Sequence, residues 1–138
     1  RALRQNSLVA ILLDQHTDPS DGGFYLDFFG LPAAFSNAAG HIAHRLKVPV
    51  GLVGVVHDAV EDRYRLAIYD EITSEEAAAL APKAITARIV AGLERMILAN
   101  SGQWLWVYRR WKRWPLGDDP ARFPFYAVVD RSVADHPQ

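Results

Sequence analysis

The chain contains no cysteine, which excludes disulfides and thiolate metal sites and leaves the redox compartment unread. No apolar run approaches the roughly 18 residues that a helix needs to cross a bilayer. Net charge is also scarce, at −1, whereas a protein wrapped broadly in nucleic acid carries a large positive excess. Internal repeats, heptads and low-complexity tracts are missing. What remains is a globular composition, 50% hydrophobic over 138 residues, with room for one sizeable core. The chain opens on Arg1 inside what reads as the end of a helix (residues 1–5), so it is expected to be a piece of a longer protein.

One more absence is local. No acidic residue occurs between Glu94 and Asp118, and all four tryptophans lie in that interval, at Trp104, Trp106, Trp111 and Trp114. Arg109, Arg110, Lys112 and Arg113 lie among them. The spacing predicts a helix with Trp104, Tyr108 and Trp111 on one face. Trp106, Arg110 and Arg113 then share a second face, and Arg109 and Lys112 a third. Pro115 ends the helix, because the residue before a proline is pushed out of helical geometry. Such a helix either packs on a core with a solvated basic face, or offers its cations to an anion or a membrane surface.

The rest of the chain alternates strand and helix signals. Residues 8–13 (Leu-Val-Ala-Ile-Leu-Leu) form a short apolar run, expected as a strand buried on both faces of a parallel sheet. Ligands of such sheets sit beyond the carboxyl ends of strands, where Asp14 and Gln15 follow. A turn-rich loop at residues 16–23 leads to the aromatic residues 24–32, which line a pocket or fill a core. Ser36 is placed to cap a helix over residues 37–47. His41 and His44 share a face of it, but without nearby partners they do not make a metal site. Residues 48–56 read as a second central strand. Residues 63–69 read as a third, antiparallel to it and more exposed. Thr73 and Glu76 have capping-box spacing, starting a helix over residues 75–99 that Pro82 splits. Residues 123–129 suggest a short edge strand, and residues 135–138 a frayed end. The expected fold is α/β: residues 1–117 as part of one domain, with 118–138 as a tail.

Several segments recur together in a known order: Ile11-Leu12-Leu13-Asp14-Gln15, Gly22-Gly23-Phe24, Phe28-Phe29-Gly30-Leu31-Pro32-Ala33, Val48-Pro49-Val50 and Arg63-Tyr64-Arg65. The most specific are Gln103-Trp104-Leu105-Trp106 and Arg109-Arg110-Trp111-Lys112. On these the chain resembles the C-terminal part of the bacterial lipid A biosynthesis acyltransferases, the late lauroyl and myristoyl transferases. The resemblance implies part of a glycerolipid-acyltransferase-like sheet flanked by helices. It implies transfer of a fatty acyl chain from acyl carrier protein or acyl-CoA to a hydroxyl of a glycolipid. The place is the cytoplasmic face of the inner membrane, without cofactor or metal.

In such enzymes a His-x4-Asp/Glu motif supplies the base, and it precedes the strand that ends in Asp14-Gln15. The resemblance therefore gives Asp14 a supporting role beside that histidine and gives Gln15 a role in its loop. Phe28, Phe29 and Gly30 become a wall of the acyl or glycolipid groove, and Arg109, Arg110 and Lys112 contacts for acceptor phosphates or headgroups. Two internal pairs, His16/Asp21 and His57/Asp62, have the motif's spacing but not its place. Tyr108 stands where the family commonly has His, Gly102 where it has Pro, and His57 where it often has Arg. Two other classes stay open: an inactive homologue that binds anionic lipid, and a single-stranded nucleic-acid binder, which the near-neutral charge disfavours.

Overall fold

Short local signals set the helices. In the computed structural model, which describes residues 2–5 and 7–132, helix α1 spans Ala38–Leu46. Its N-cap is Asn37, and Ser36 contributes its hydroxyl to the Ala38 N–H at 3.3 Å. The helix expected over residues 75–99 is divided as predicted, into α2 (Ser74–Ala79) and α3 (Pro82–Ala99). Thr73 and Glu76 form the capping box, each side chain accepting from the other's backbone N–H. Pro82 sits in the first turn of α3, where its missing donor is harmless. The stripe Ile85, Ile89, Leu93 and Ile97 is buried. No helix among the described residues is long and apolar enough to cross a membrane.

Among the described residues the strands form three two-stranded pairs. β1 (Gly23–Phe28) and β2 (Leu31–Ser36) make an antiparallel hairpin. Its turn is Phe29-Gly30, both with positive φ (54° and 77°), the geometry that matches strand twist in a two-residue loop. Asp27 accepts from the Gly30 N–H at 3.0 Å, and Glu94 of α3 accepts from the Phe29 N–H. β3 (Val50–Asp58) and β4 (Arg63–Ile72) form a second antiparallel hairpin. β5 (Arg113–Pro115) and β6 (Val128–Asp130) are parallel. Among the described residues two apolar clusters hold the two hairpins, α1 and α2 on α3. One contains Phe28, Phe35, Val90, Leu93 and Ile97; the other contains Ala43, Ile72, Ala77, Ile85 and Ile89.

Three expectations are corrected. Residues 8–13 are irregular rather than a buried strand, with Leu8 90% and Leu12 83% exposed. Among the described residues no strand lies beside them to pair their backbone, and an unpaired strand has no ladder to stabilise it. β3 is not central, and the outer face of its hairpin (Val53, Val55, Tyr64, Leu66, Ile68) is exposed. The tryptophan-arginine segment is not helical; residues 104–112 are turns and extended chain. Trp, Val and Tyr are middling helix formers, so side-chain anchorage decides the path. Trp104 and Trp111 pack on the Phe28 cluster, Arg110 reaches β2, and the Trp106 indole N–H donates to the Ser101 carbonyl at 2.7 Å.

Residues 118–132 lie against the same body. Phe123 is buried and stacks on Trp114, with ring centroids 5.5 Å apart. Of the edge strand suggested over residues 123–129, only residues 128 and 129 are regular, within β6. The expectation for residues 135–138 lies outside the described residues.

Where α1 crosses α3, Gly40 is the closest approach. A Cβ there would lie 2.2 Å from the Pro82 carbonyl oxygen and 2.5 Å from the Thr86 hydroxyl. Alanine normally stabilises a helix interior by about 1 kcal/mol relative to glycine, but a clash with fixed backbone destabilises by about 1–3 kcal/mol or more. Gly40→Ala is expected to lower the chemical-denaturation midpoint. An unchanged or higher midpoint would show that the two helices can separate freely.

Candidate functional site

The loop after the 8–13 run and the segment 108–113 meet, although some ninety positions separate them. The His16 N–H donates to the Tyr108 hydroxyl at 2.8 Å. Arg113 Nε lies 2.6 Å from Asp18 Oδ1, and His16 Nε2 lies 3.1 Å from that same oxygen. Asp18 thus ties the loop's own histidine to the basic segment. Behind it, the Tyr25 hydroxyl donates to Asp130 Oδ2 at 2.8 Å. Burial and the adjacent Asp130 carboxylate raise the Tyr25 pKa, so its phenol stays protonated. Burial alone would raise Asp130, but hydrogen bonds from Ser132 and Tyr25 and the charge of Arg113 outweigh it and keep its pKa low.

Arg110 is the unusual member. Its side chain turns inward, leaving the residue 2% exposed. Nη2 donates to the Ala34 carbonyl of β2 at 2.7 Å, and the guanidinium carbon sits 3.8 Å from the centroid of the Phe35 ring. Nε and Nη1 are buried and find no acceptor among the described residues. Burial lowers its pKa to about 10, an effect that the nearby Tyr108 and Asp14 offset only in part. Asp14 is therefore near enough for its field to act on Arg110.

Of the residues singled out from the sequence, Tyr108 meets the loop that follows Asp14, through the His16 N–H, while Arg110 turns onto β2. Gln15 is exposed beside Asp14. Phe28 lies inside the core, Phe29 is half-buried at the hairpin turn and Gly30 is exposed. The Gly30 carbonyl accepts from Arg122 Nη2 at 2.9 Å. Arg109 and Lys112 are exposed, the first over the Tyr126 ring at 5.4 Å and the second over the Tyr108 ring at 5.0 Å. A shallow depression of about 170 Å³ lies elsewhere, between β3 and the end of α3, lined by Gly54, Val56, Met96, Asn100, Gln103 and Trp104.

The two histidine pairs resolve differently. His16 bonds Asp18, not Asp21, and its side chain is only 4% exposed, closed to a substrate hydroxyl. His57 does meet Asp62, at 3.0 Å, in an exposed pair at the β3–β4 turn. His44 Nδ1 donates to the Ala77 carbonyl at 3.2 Å. No group of three or more metal-ligating side chains occurs among the described residues.

Sequence reasoning missed Asp18, Tyr25 and Asp130, since nothing local joins residues 25 and 130. It also missed how Gln103 works. The Gln103 amide exchanges two hydrogen bonds with the backbone of His57, at 2.8 Å and 3.1 Å, as a neighbouring strand would.

Curated proteins and solved structures give no match to this chain. A family model does match. It is that of the bacterial lipid A biosynthesis acyltransferases, and it covers residues 1–113. The matched span takes in the loop of Asp14, the Phe28-Phe29-Gly30 turn, and Tyr108 through Arg113, the parts that the fold brings together around Arg110. The chain belongs to the bacterial lipid A biosynthesis acyltransferase family.

Proposed function

We propose that residues 1–117 form the C-terminal part of one acyltransferase domain. In this reading the whole enzyme is membrane-associated, at the cytoplasmic face of the inner membrane. It moves a fatty acyl chain from acyl carrier protein, or acyl-CoA, to a hydroxyl of a glycolipid such as a lipid A precursor. The family match over residues 1–113 carries this reading. The bare apolar surfaces support it, because residues 8–13 and the outer face of β3–β4 leave nine large side chains in water. Exposed apolar hairpin faces and chain segments of that kind are what further sheet and helix cover in a complete α/β domain.

In the proposed reaction the family's motif histidine takes the proton of the acceptor hydroxyl. The hydroxyl oxygen attacks the thioester carbonyl, the C–S bond breaks, and the thiolate leaves with a proton. Asp14 orients that histidine, and Gln15 steadies its loop. Phe29 and Gly30 shape the groove wall, with Phe28 behind them as its packed support. Arg109 and Lys112 meet anionic groups of the acceptor. Arg110 sets the local potential beside Asp14 from within the core.

The test is ester formation by the protein read from the complete coding sequence, with an acyl thioester and a hydroxylated glycolipid. The expected result is an O-acyl product and stoichiometric free thiol. Absence of product, with binding to anionic vesicles retained, would replace this reading with that of an inactive lipid-binding homologue.

A further inference from the structure

Residues 105–107 form a turn tip from which apolar side chains project. Leu105 is 66%, Trp106 56% and Val107 84% exposed. A second segment brings another aromatic to the basic stretch. Arg109 lies over Tyr126, the Tyr126 ring lies 5.6 Å from the Phe125 ring, and Phe125 is 97% exposed. Arg109 and Lys112 stand among these groups, and neither meets a carboxylate within ion-pair distance among the described residues. Trp106 is held by its hydrogen bond to Ser101, so its ring is presented rather than loose.

This surface differs from the other bare ones. The β3–β4 face is a strand surface and residues 8–13 are an exposed apolar stretch of chain, both suited to more polypeptide. Here the apolar groups sit on turn tips and the charge between them is of one sign. Exposed apolar side chains with an indole and uncompensated cations match a bilayer interface: rings enter the acyl boundary while guanidinium and ammonium stay at headgroup level. A protein partner would need acids placed opposite both cations, while anionic lipid supplies them at any registration.

We propose that Leu105, Trp106, Val107 and Phe125, with Arg109 and Lys112, dock the protein on an anionic lipid bilayer. This deepens the proposed function by naming the surface that faces the membrane, and it rests on that reading only for its purpose.

The experiment uses the complete protein with phosphatidylcholine vesicles, with and without phosphatidylglycerol, the lipids brominated along the acyl chain. Bromolipid should quench indole fluorescence, and Trp106→Phe should remove much of that quenching. The double variant Val107→Asp/Phe125→Ser should bind phosphatidylglycerol vesicles about tenfold or more weakly. Its transfer to a detergent-dispersed acceptor should remain. Phe125→Ser alone should give part of the loss. Quenching unaffected by Trp106→Phe, with unchanged vesicle affinity in both Phe125 variants, would overturn the proposal. So would salt-sensitive binding to oligonucleotides with no response to phosphatidylglycerol, or self-association that the same variants abolish. Vesicle effects as expected without any acyl transfer by the parent protein would leave this surface standing and remove the enzymatic reading.

Discussion

Asp14→Ala in the complete enzyme is expected to lower kcat about a hundredfold or more, with KM for the thioester changed by no more than about twofold. Asp14 follows the 8–13 run directly and makes no side-chain hydrogen bond or ion pair among the described residues, so the fold does not need it. Its carboxylate is nonetheless close enough to bear on Arg110. A carboxylate without a structural partner at such a place is available to a histidine. It would raise that histidine's pKa and hold its tautomer. Removing the charge, as in Asp14→Asn, should therefore move the acidic limb of the kcat/KM profile to lower pH. Unchanged kcat and an unmoved limb would take Asp14 out of the mechanism.

Arg110→Met is expected to separate stability from activity. Among the described residues the guanidinium has one hydrogen bond, to Ala34, and two buried nitrogens without acceptors. Each unsatisfied buried group destabilises by about 1–3 kcal/mol, while a charge-assisted hydrogen bond contributes about 1.5–3 kcal/mol. Burial of the charge adds to the unfavourable side. Methionine keeps the bulk and can lie on the Phe35 ring as the guanidinium does at 3.8 Å, with a favourable sulfur–aromatic contact. Stability should be unchanged or rise by about 1–2 kcal/mol, as when other buried ionic groups are replaced by well-packed apolar ones. Arg110→Ala should instead destabilise by about 2–4 kcal/mol through the cavity it leaves. Acyl transfer should fall at least about tenfold in both, because the positive potential beside Asp14 is gone. A Met variant destabilised like the Ala variant would mean that the charge itself holds the fold.

Local instructions were legible in the sequence, and distant ones were not. The capping box at Thr73 and the proline break at Pro82 need only their own neighbours, so pattern reading placed them. The 8–13 run has the composition of an inner strand, but a strand exists only when something pairs with it. The tryptophan-arginine stretch has helical spacing, yet each anchor pulls elsewhere. Trp111 goes to Phe28, Arg110 to Ala34 and Tyr108 to His16. Those contacts, spanning 76 and 92 positions for Arg110 and Tyr108, override a weak local preference. The site was half legible for the same reason. Motif order singled out Asp14 and Arg110, while the enclosure of Arg110 and the bridging by Asp18 came from long-range packing.

The Gln103 amide bears on colloidal behaviour. His57 faces Tyr64 across the β3–β4 hairpin, and its outward N–H and carbonyl are both occupied by Gln103. A foreign chain seeking to extend that ribbon, as in early fibril growth, finds the first rung already taken and must displace a bidentate contact to begin.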